Sequence, residues 1–216
     1  ATGVALGTGY RLVDCASVYA NEHLIGPVLA DTMADLGLSR EDVVVISKVW
    51  NDAHDPTAAV ASVHQSLADL KLDYLDALLI HWPFPNIHER FAAPDARNPT
   101  SRPYIHAEYM SMYHALEQLV DAGLIRHLGV SNLTIPKLRL VLRDARITPA
   151  LHEMELHPAF QQGELYQFSK DAGMVVIGFS PMGSPSRPER DKFEGDVADL
   201  EHPVVVPIAE TRVFHP

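Results

Sequence analysis

The residue pattern predicts an α/β fold on a parallel sheet, leaning towards a (β/α) barrel over an open doubly wound sheet. Three observations carry this. Short β-branched runs alternate with longer amphipathic runs along the chain, which is the order of βαβ units. Val43–Ser47 is continuously apolar up to its last residue, as in a strand covered on both faces. No G-x-G-x-x-G follows the first short run, as the open dinucleotide-binding fold would want. Gly7, Thr8 and Gly9 precede that run instead, and the P-loop pattern is absent too.

The elements follow in order. Tyr10–Val13 is the first strand, ending at Asp14. Asn21–Leu36 is a helix with Leu24, Val28, Leu29, Ala30 and Met33 at helical spacing. Val43–Ser47 is the second strand. Pro56 and Thr57 open a helix that runs to Leu70, its stripe made of Val60, Val63, Leu67 and Leu70. Leu75–Ile80 is the third strand. Ile105–Ala122 is a helix that Gly123 is placed to cap. Ile125–Val130 is the fourth strand, Pro136–Asp144 a short helix and Ala150–Leu156 the fifth strand. Gly163–Ala172 is a helix, Met174–Phe179 the sixth strand, and Pro203–Glu210 one more helix.

Composition narrows the function. The 216 residues are 47% hydrophobic and 21% charged, a globular balance. The net charge of -11 lacks the basic footprint of a nucleic-acid binder. No window approaches a membrane-spanning apolar run, and no leader peptide is visible. Cys15 is the single cysteine, so no intrachain disulfide forms. The expectation is a cytoplasmic, monomeric protein with a small-molecule ligand, no nucleic acid and no membrane.

In a (β/α) barrel, catalytic groups gather where strands end. Here the first strand ends in Asp14, with Tyr19 beyond it. The second ends in Lys48, then Trp50 and Asn51. The third ends in His81, Trp82 and Pro83, and the fourth in Ser131 and Asn132. The fifth carries Glu153, Glu155 and His157, and the sixth ends in Phe179, Ser180 and Pro181. Each alone reads most simply as the point where a strand meets solvent. Together they offer an Asp–Lys charge pair and a Lys–Tyr pair. A phenol near pKa ~10 needs such a cation to act as an acid at neutral pH. A phenol so tuned donates a proton to a carbonyl oxygen.

These residues carry a family resemblance. Gly9–Glu22, GYRLVDCASVYANE, resembles the first signature of the aldo-keto reductases, and Leu70–Pro83, LKLDYLDALLIHWP, resembles the second. ISKVWN, GVSN, HPAFQQ and FSPMGSP follow in the family's order. The resemblance implies a TIM-type (β/α)8 barrel. It also implies NADPH-dependent reduction of aldehydes or ketones to alcohols, with NADH as the other possible cofactor. Tyr19 matches the proton donor, Lys48 the residue that depresses its pKa, and Asp14 the carboxylate paired with that lysine. His81 matches the histidine that orients the carbonyl. Ser131 and Asn132 match the pair that grips the nicotinamide carboxamide. Phe179 stands for a ring-stacking tyrosine. Ser180, Pro181, Met182 and Ser184 match the loop around the ribose and pyrophosphate. Trp50 and Trp82 match the walls of the substrate pocket. The alternative is a relative without turnover that binds nucleotide or a protein partner.

One departure stands out. Glu153 occupies the position of a carboxamide-binding Gln, and His152 that of an Asn. An ionised Glu accepts hydrogen bonds and donates none. A metal reading of His152, Glu153, Glu155 and His157 is set aside, because the spacing is H-E-x-x-x-H and strand geometry sends the two histidines to opposite faces. Two segments read as loops over the site: Phe84–Pro103, with Pro85, Pro94, Pro99 and Pro103 after Pro83, and Ser184–Leu200.

The count of strands is six where a TIM barrel has eight. Residues 1–216 are therefore expected to be one barrel domain lacking N-terminal and C-terminal segments, insoluble or inactive on its own. Val4–Gly9 reads as a first strand only if a crossover is left out, since parallel neighbours need a dozen or more linking residues. Either Ala1–Gly9 is the end of a helix, or a segment is missing between it and the first strand.

Overall fold

The computed structural model describes residues 1–86, 100–183, 197 and 199–212. Among these are seven α-helices and six strands. α1 is Thr2–Gly7, so the N-terminal run is helical, and Thr8 and Gly9 turn out of it. Then come β1 Leu12–Asp14, α2 Glu22–Leu36, β2 Val44–Val49, α3 Pro56–Leu70 and β3 Leu75–Ile80. α4 His106–Asp121, β4 Ile125–Ser131, α5 Ile135–Asp144, β5 Leu151–Glu155, α6 Gly163–Asp171, β6 Val175–Phe179 and α7 Val205–Thr211 complete the order. β1 begins at Leu12 rather than Tyr10 and takes in Asp14. β2 runs on through Lys48 to Val49. Local chemistry explains the ends. Asp55 accepts the Ala58 N–H at 3.0 Å, and Pro56 after it has no N–H to satisfy, so α3 starts where fewer first-turn donors are left without an acceptor.

All strand pairs are parallel, and the strand order is β1-β2-β3-β4-β5-β6. A doubly wound sheet reverses direction once, so that helices cover both faces. Here every crossover steps the same way, which leaves one face to the helices and lets the sheet curl into part of a barrel. The main core lies between sheet and helices, from Leu29, Val45, Val63 and Leu67 to Leu78, Leu116, Leu128 and Val141. A smaller apolar layer, Ile46, Ala77 and Leu79 with Leu151 and Ile177, fills the concave face.

Two glycines permit this packing. A Cβ on Gly129 of β4 would stand 3.0 Å from Leu79 and 3.1 Å from Leu151, so the inner layer closes only over hydrogen there. A Cβ on Gly26 of α2 would stand 2.6 Å from the Leu70 carbonyl carbon, so α2 rides directly on the end of α3.

Candidate active site

Side chains alternate across a strand, so register decides which residues share a face. Lys48 lies opposite Leu79, Asp14 opposite Ile46, Ser131 opposite Glu153, and Phe179 opposite Glu155. Counted along each strand from the inner apolar residues, Asp14, Lys48, Ser131, Glu153 and Phe179 all fall on the concave face. They sit at or near the C-terminal ends of their strands.

Lys48 is the hub. Its side chain is fully buried. The ammonium donates to Asp14 Oδ1 at 2.5 Å and to the Cys15 carbonyl at 3.2 Å, and it lies 3.5 Å from Glu153 Oε2. Burial works against the ammonium, but Asp14, Glu153 and Tyr19 together outweigh it and raise its pKa. Lys48 is therefore a cation at neutral pH. The contact with Glu153 also measures the curl. β2 and β5 are separated by β3 and β4, and on a flat sheet they would stand about 14 Å apart. Only a bowl brings the two side chains together.

Tyr19 follows β1 in a short helical turn, Ser17–Tyr19. The Ser17 hydroxyl donates to the Lys48 carbonyl at 3.3 Å and ties the turn to β2. The Lys48 ammonium lies 5.4 Å from the centre of the Tyr19 ring. His81 meets Tyr19 edge-on, ring centres 6.0 Å apart, and meets Trp50 at 4.9 Å. The phenol is nevertheless not depressed overall. Burial raises its pKa most, Lys48 pulls it down, and Asp14 and Glu153 push it up again, so the net direction is upward. The depression expected from Lys48 is present but outweighed.

Asn132 knits three strand ends together. Its backbone is left-handed, with φ of 59°, a conformation Asn tolerates better than most residues. Its N–H donates to the Glu153 carbonyl at 3.0 Å, and its side-chain amide donates to the His81 carbonyl at 2.9 Å and to the Ser131 hydroxyl at 3.0 Å. The ends of β3, β4 and β5 are thereby held in one plane.

Burial lifts the Glu153 carboxyl to about 7; Lys48 draws it down and Asp14 pushes it up. Its neighbour His152 points the other way, towards α6. The Ser169 hydroxyl donates to the Leu165 carbonyl and so accepts from His152 Nδ1, which places a ring proton on that nitrogen. Burial holds this histidine down at about 4. His157 lies beyond β5 between Glu155 Oε1 at 3.3 Å and Asp199 Oδ2 at 2.9 Å. The four residues of the H-E-x-x-x-H run therefore do not converge on one point.

The remaining expectations divide. Trp50 is buried beside His81. Trp82, Phe179 and Ser180 are half-buried, and Pro181 and Met182 are exposed at the rim. Ser184 and most of both loop segments lie outside the described residues. One residue was not anticipated. Glu22 is buried, accepting from Ser47 at 2.6 Å and Ser66 at 2.8 Å on the convex side of β2. Its only sequence signal is its place in the run that also holds Asp14 and Tyr19.

The donor set fits a nicotinamide. Its carboxamide presents one acceptor and two N–H groups. Ser131 supplies a hydroxyl donor, Asn132, whose amide N–H bonds go to His81 and Ser131, supplies its Oδ1 as an acceptor, and Glu153, in register with Ser131, supplies another. The Phe179 ring closes the same face with a flat apolar surface.

Comparison with known proteins agrees with this geometry. The model of the aldo/keto reductase family matches residues 2–208. The Synechocystis sp. protein named aldo/keto reductase is 40% identical over 209 residues, 95% of this chain and 62% of its own length. Aldo-keto reductase family 1 member A1 of Xenopus tropicalis is 39% identical over 208 residues, 95% of this chain and 62% of its own. The human protein of that name is 38% identical, covering 95% and 63%. The chain thus spans somewhat less than two thirds of the curated relatives it matches. The aldose reductase structure from Schistosoma japonicum superposes with a TM-score of 0.82 at 31% identity, over 98% of this chain and 65% of that one. The six-stranded curled wall is the corresponding part of a TIM-type barrel, and this chain belongs to the aldo/keto reductase family.

Proposed function

We propose that the chain carries the chemical centre of a reversible, nicotinamide-dependent reductase of aldehydes or ketones. The observation that supports this best is a buried ammonium, Lys48, held by Asp14 close to the Tyr19 ring, which also meets His81. The chemistry a reduced nicotinamide supplies when bound is a hydride for the carbonyl carbon. Tyr19 gives a proton to the carbonyl oxygen, and Lys48 stabilises the phenolate left behind. Asp14 keeps Lys48 in place and charged. His81, edge-on to both Tyr19 and Trp50, orients the carbonyl oxygen towards the phenol. Trp50 and Trp82 shape an apolar wall that keeps water from the reacting atoms.

Ser131, Asn132 and Glu153 would hold the carboxamide of the bound nicotinamide, and Phe179 would offer its ring a flat apolar face. Ser180, Pro181 and Met182 would hold the ribose and pyrophosphate, together with Ser184 of the same motif. NADPH is the preferred cofactor in this reading, with NADH as the weaker one. The test is a coupled absorbance assay of NADPH and NADH oxidation by the full-length protein over a panel of aldehydes and ketones. Turnover of at least one carbonyl with NADPH is expected. Tight NADPH binding without any turnover would replace this reading with a nucleotide-binding one.

A further inference from the structure

The Lys48 ammonium has three N–H bonds and more than three oxygens around it: Asp14 Oδ1, the Cys15 carbonyl, Glu153 Oε2 and the Tyr19 hydroxyl. One cation therefore faces two carboxylates. Glu153 is only 4% exposed in its side chain, so water screens it little. When both carboxylates are ionised, the group of Asp14, Glu153, Lys48 and neutral Tyr19 carries one negative charge in excess. Ionising Tyr19 would add a second within the same buried space.

The neighbours do not offset this. β1 contributes Asp14, with Cys15 just beyond it and Tyr19 in the turn that follows, and β2 contributes Lys48. The end of β3 contributes the His81 imidazole. β4 contributes Ser131, with Asn132 just beyond it, both uncharged, and β6 contributes Phe179. On β5 itself, Glu155 lies two residues on along the same face, and His152 is turned to the other. Lys48 is the one cation among these.

We propose that Glu153 competes with Tyr19 for the charge of Lys48 and so biases the site towards giving a proton rather than taking one. Reduction needs Tyr19 protonated at the start, and alcohol oxidation needs it ionised. A second carboxylate on Lys48 favours the first state over the second. Glu153 is in this respect a positioning residue that acts through Lys48, whatever it also touches on a cofactor. The inference rests on the reading of Tyr19 as the proton donor. The direction in which Glu153 moves the phenol agrees with the geometry.

The experiment uses the full-length protein without cofactor, its tyrosines labelled with carbon-13 at Cζ, titrated by NMR. Tyr19→Phe assigns the Tyr19 resonance. In Glu153→Gln the phenol is expected to ionise about one pH unit lower than in the wild type, the size of a nearby charge removed. Glu153→Asp keeps the charge but draws it back from Lys48, so it is expected to fall between the two. Alcohol oxidation with oxidised cofactor should gain at lower pH in the same order. An unmoved Tyr19 resonance in Glu153→Gln, or a shift upward, would overturn the proposal. A shift as expected in a protein that reduces no carbonyl would instead sink the proposed function and leave the coupling standing.

Discussion

The Ser47 hydroxyl donates to the buried Glu22 carboxylate at 2.6 Å, one step along β2 from Lys48 and on the opposite face of the sheet. Ser66 of α3 donates to the other oxygen at 2.8 Å. Glu22 thus joins the first turn of α2, β2 and α3 directly behind the site, and α2 begins just after the Tyr19 turn. Glu22→Ala removes the acceptor of two buried hydroxyls and leaves a void. A loss of about 2–4 kcal/mol is expected in urea denaturation. Glu22→Gln keeps the volume and one acceptor and should lose less than half as much. Equal losses would mean that the two hydroxyl-to-carboxylate hydrogen bonds, not the filled volume, hold this junction.

Tyr19→Phe removes the hydroxyl and keeps the ring that meets His81. Because the hydroxyl acts chiefly in the transition state, kcat should drop by about 10²–10⁴-fold while cofactor affinity stays close to normal. The measurement is steady-state kinetics beside a cofactor titration by fluorescence. A variant with wild-type kcat would remove Tyr19 from the mechanism.

His54 and His152 make stability depend on pH. Burial holds both at about 4 in the fold, against an ordinary value of 6.5; for His54, Arg102 adds to the effect. Between these values the unfolded chain takes up protons that the folded one refuses. Stability from these two groups is therefore full above about 6.5 and declines as pH falls towards about 4. Glu153 works in the opposite sense. Its carboxyl, raised mainly by burial to about 7 from 4.5, keeps its proton in the fold after the unfolded chain has lost it, so stability declines as pH rises between these values. His152→Asn keeps a donor for Ser169 and removes the titration. It should flatten the acid-side loss by up to about 1.4 kcal/mol per pH unit. Glu153→Gln should steepen that loss. Thermal melts between pH 4 and 7 check both signs.

Gly26→Ala sets helix propensity against crowding. Alanine favours α2 by about 1 kcal/mol. Its Cβ, however, would press on the backbone of Asp69 and Leu70, which have no flexible end to move aside. Overpacking of this kind costs about 1–3 kcal/mol, so a net loss is expected. A lower denaturation midpoint than wild type is the readout, and an unchanged or higher one would show that the helices can part.

The six strands were legible because short β-branched runs alternate with amphipathic stripes, and β2 and β3 are in addition buried on both faces, whereas β1 and β6 are partly exposed. Asp14, Tyr19, Lys48 and His81 were legible as strand-end residues and through the motifs that hold them. The pairing of Lys48 with Glu153 was not, since it depends on curvature summed over four strands, and Glu153 had been assigned to the cofactor alone. Glu22 escaped notice because a glutamate in the first turn of a helix ordinarily faces water. The upward net shift of Tyr19 was hidden for a related reason. Spacing shows which charges are near, but not how much solvent the fold removes.

The strand order has a consequence for how the chain reaches its native state. Every backbone ladder joins strands consecutive in the sequence, so the wall can be laid down unit by unit with short loop closures. The Lys48–Glu153 ion pair is different: it is a chord across the bowl, between residues far apart in the chain, and it exists only once the intervening strands have curled. Such a contact forms late. Breaking it should speed unfolding and leave the refolding rate nearly untouched, a split that the two arms of a urea chevron would reveal. The lining of the site would then act as a latch on the curvature of the wall that carries it.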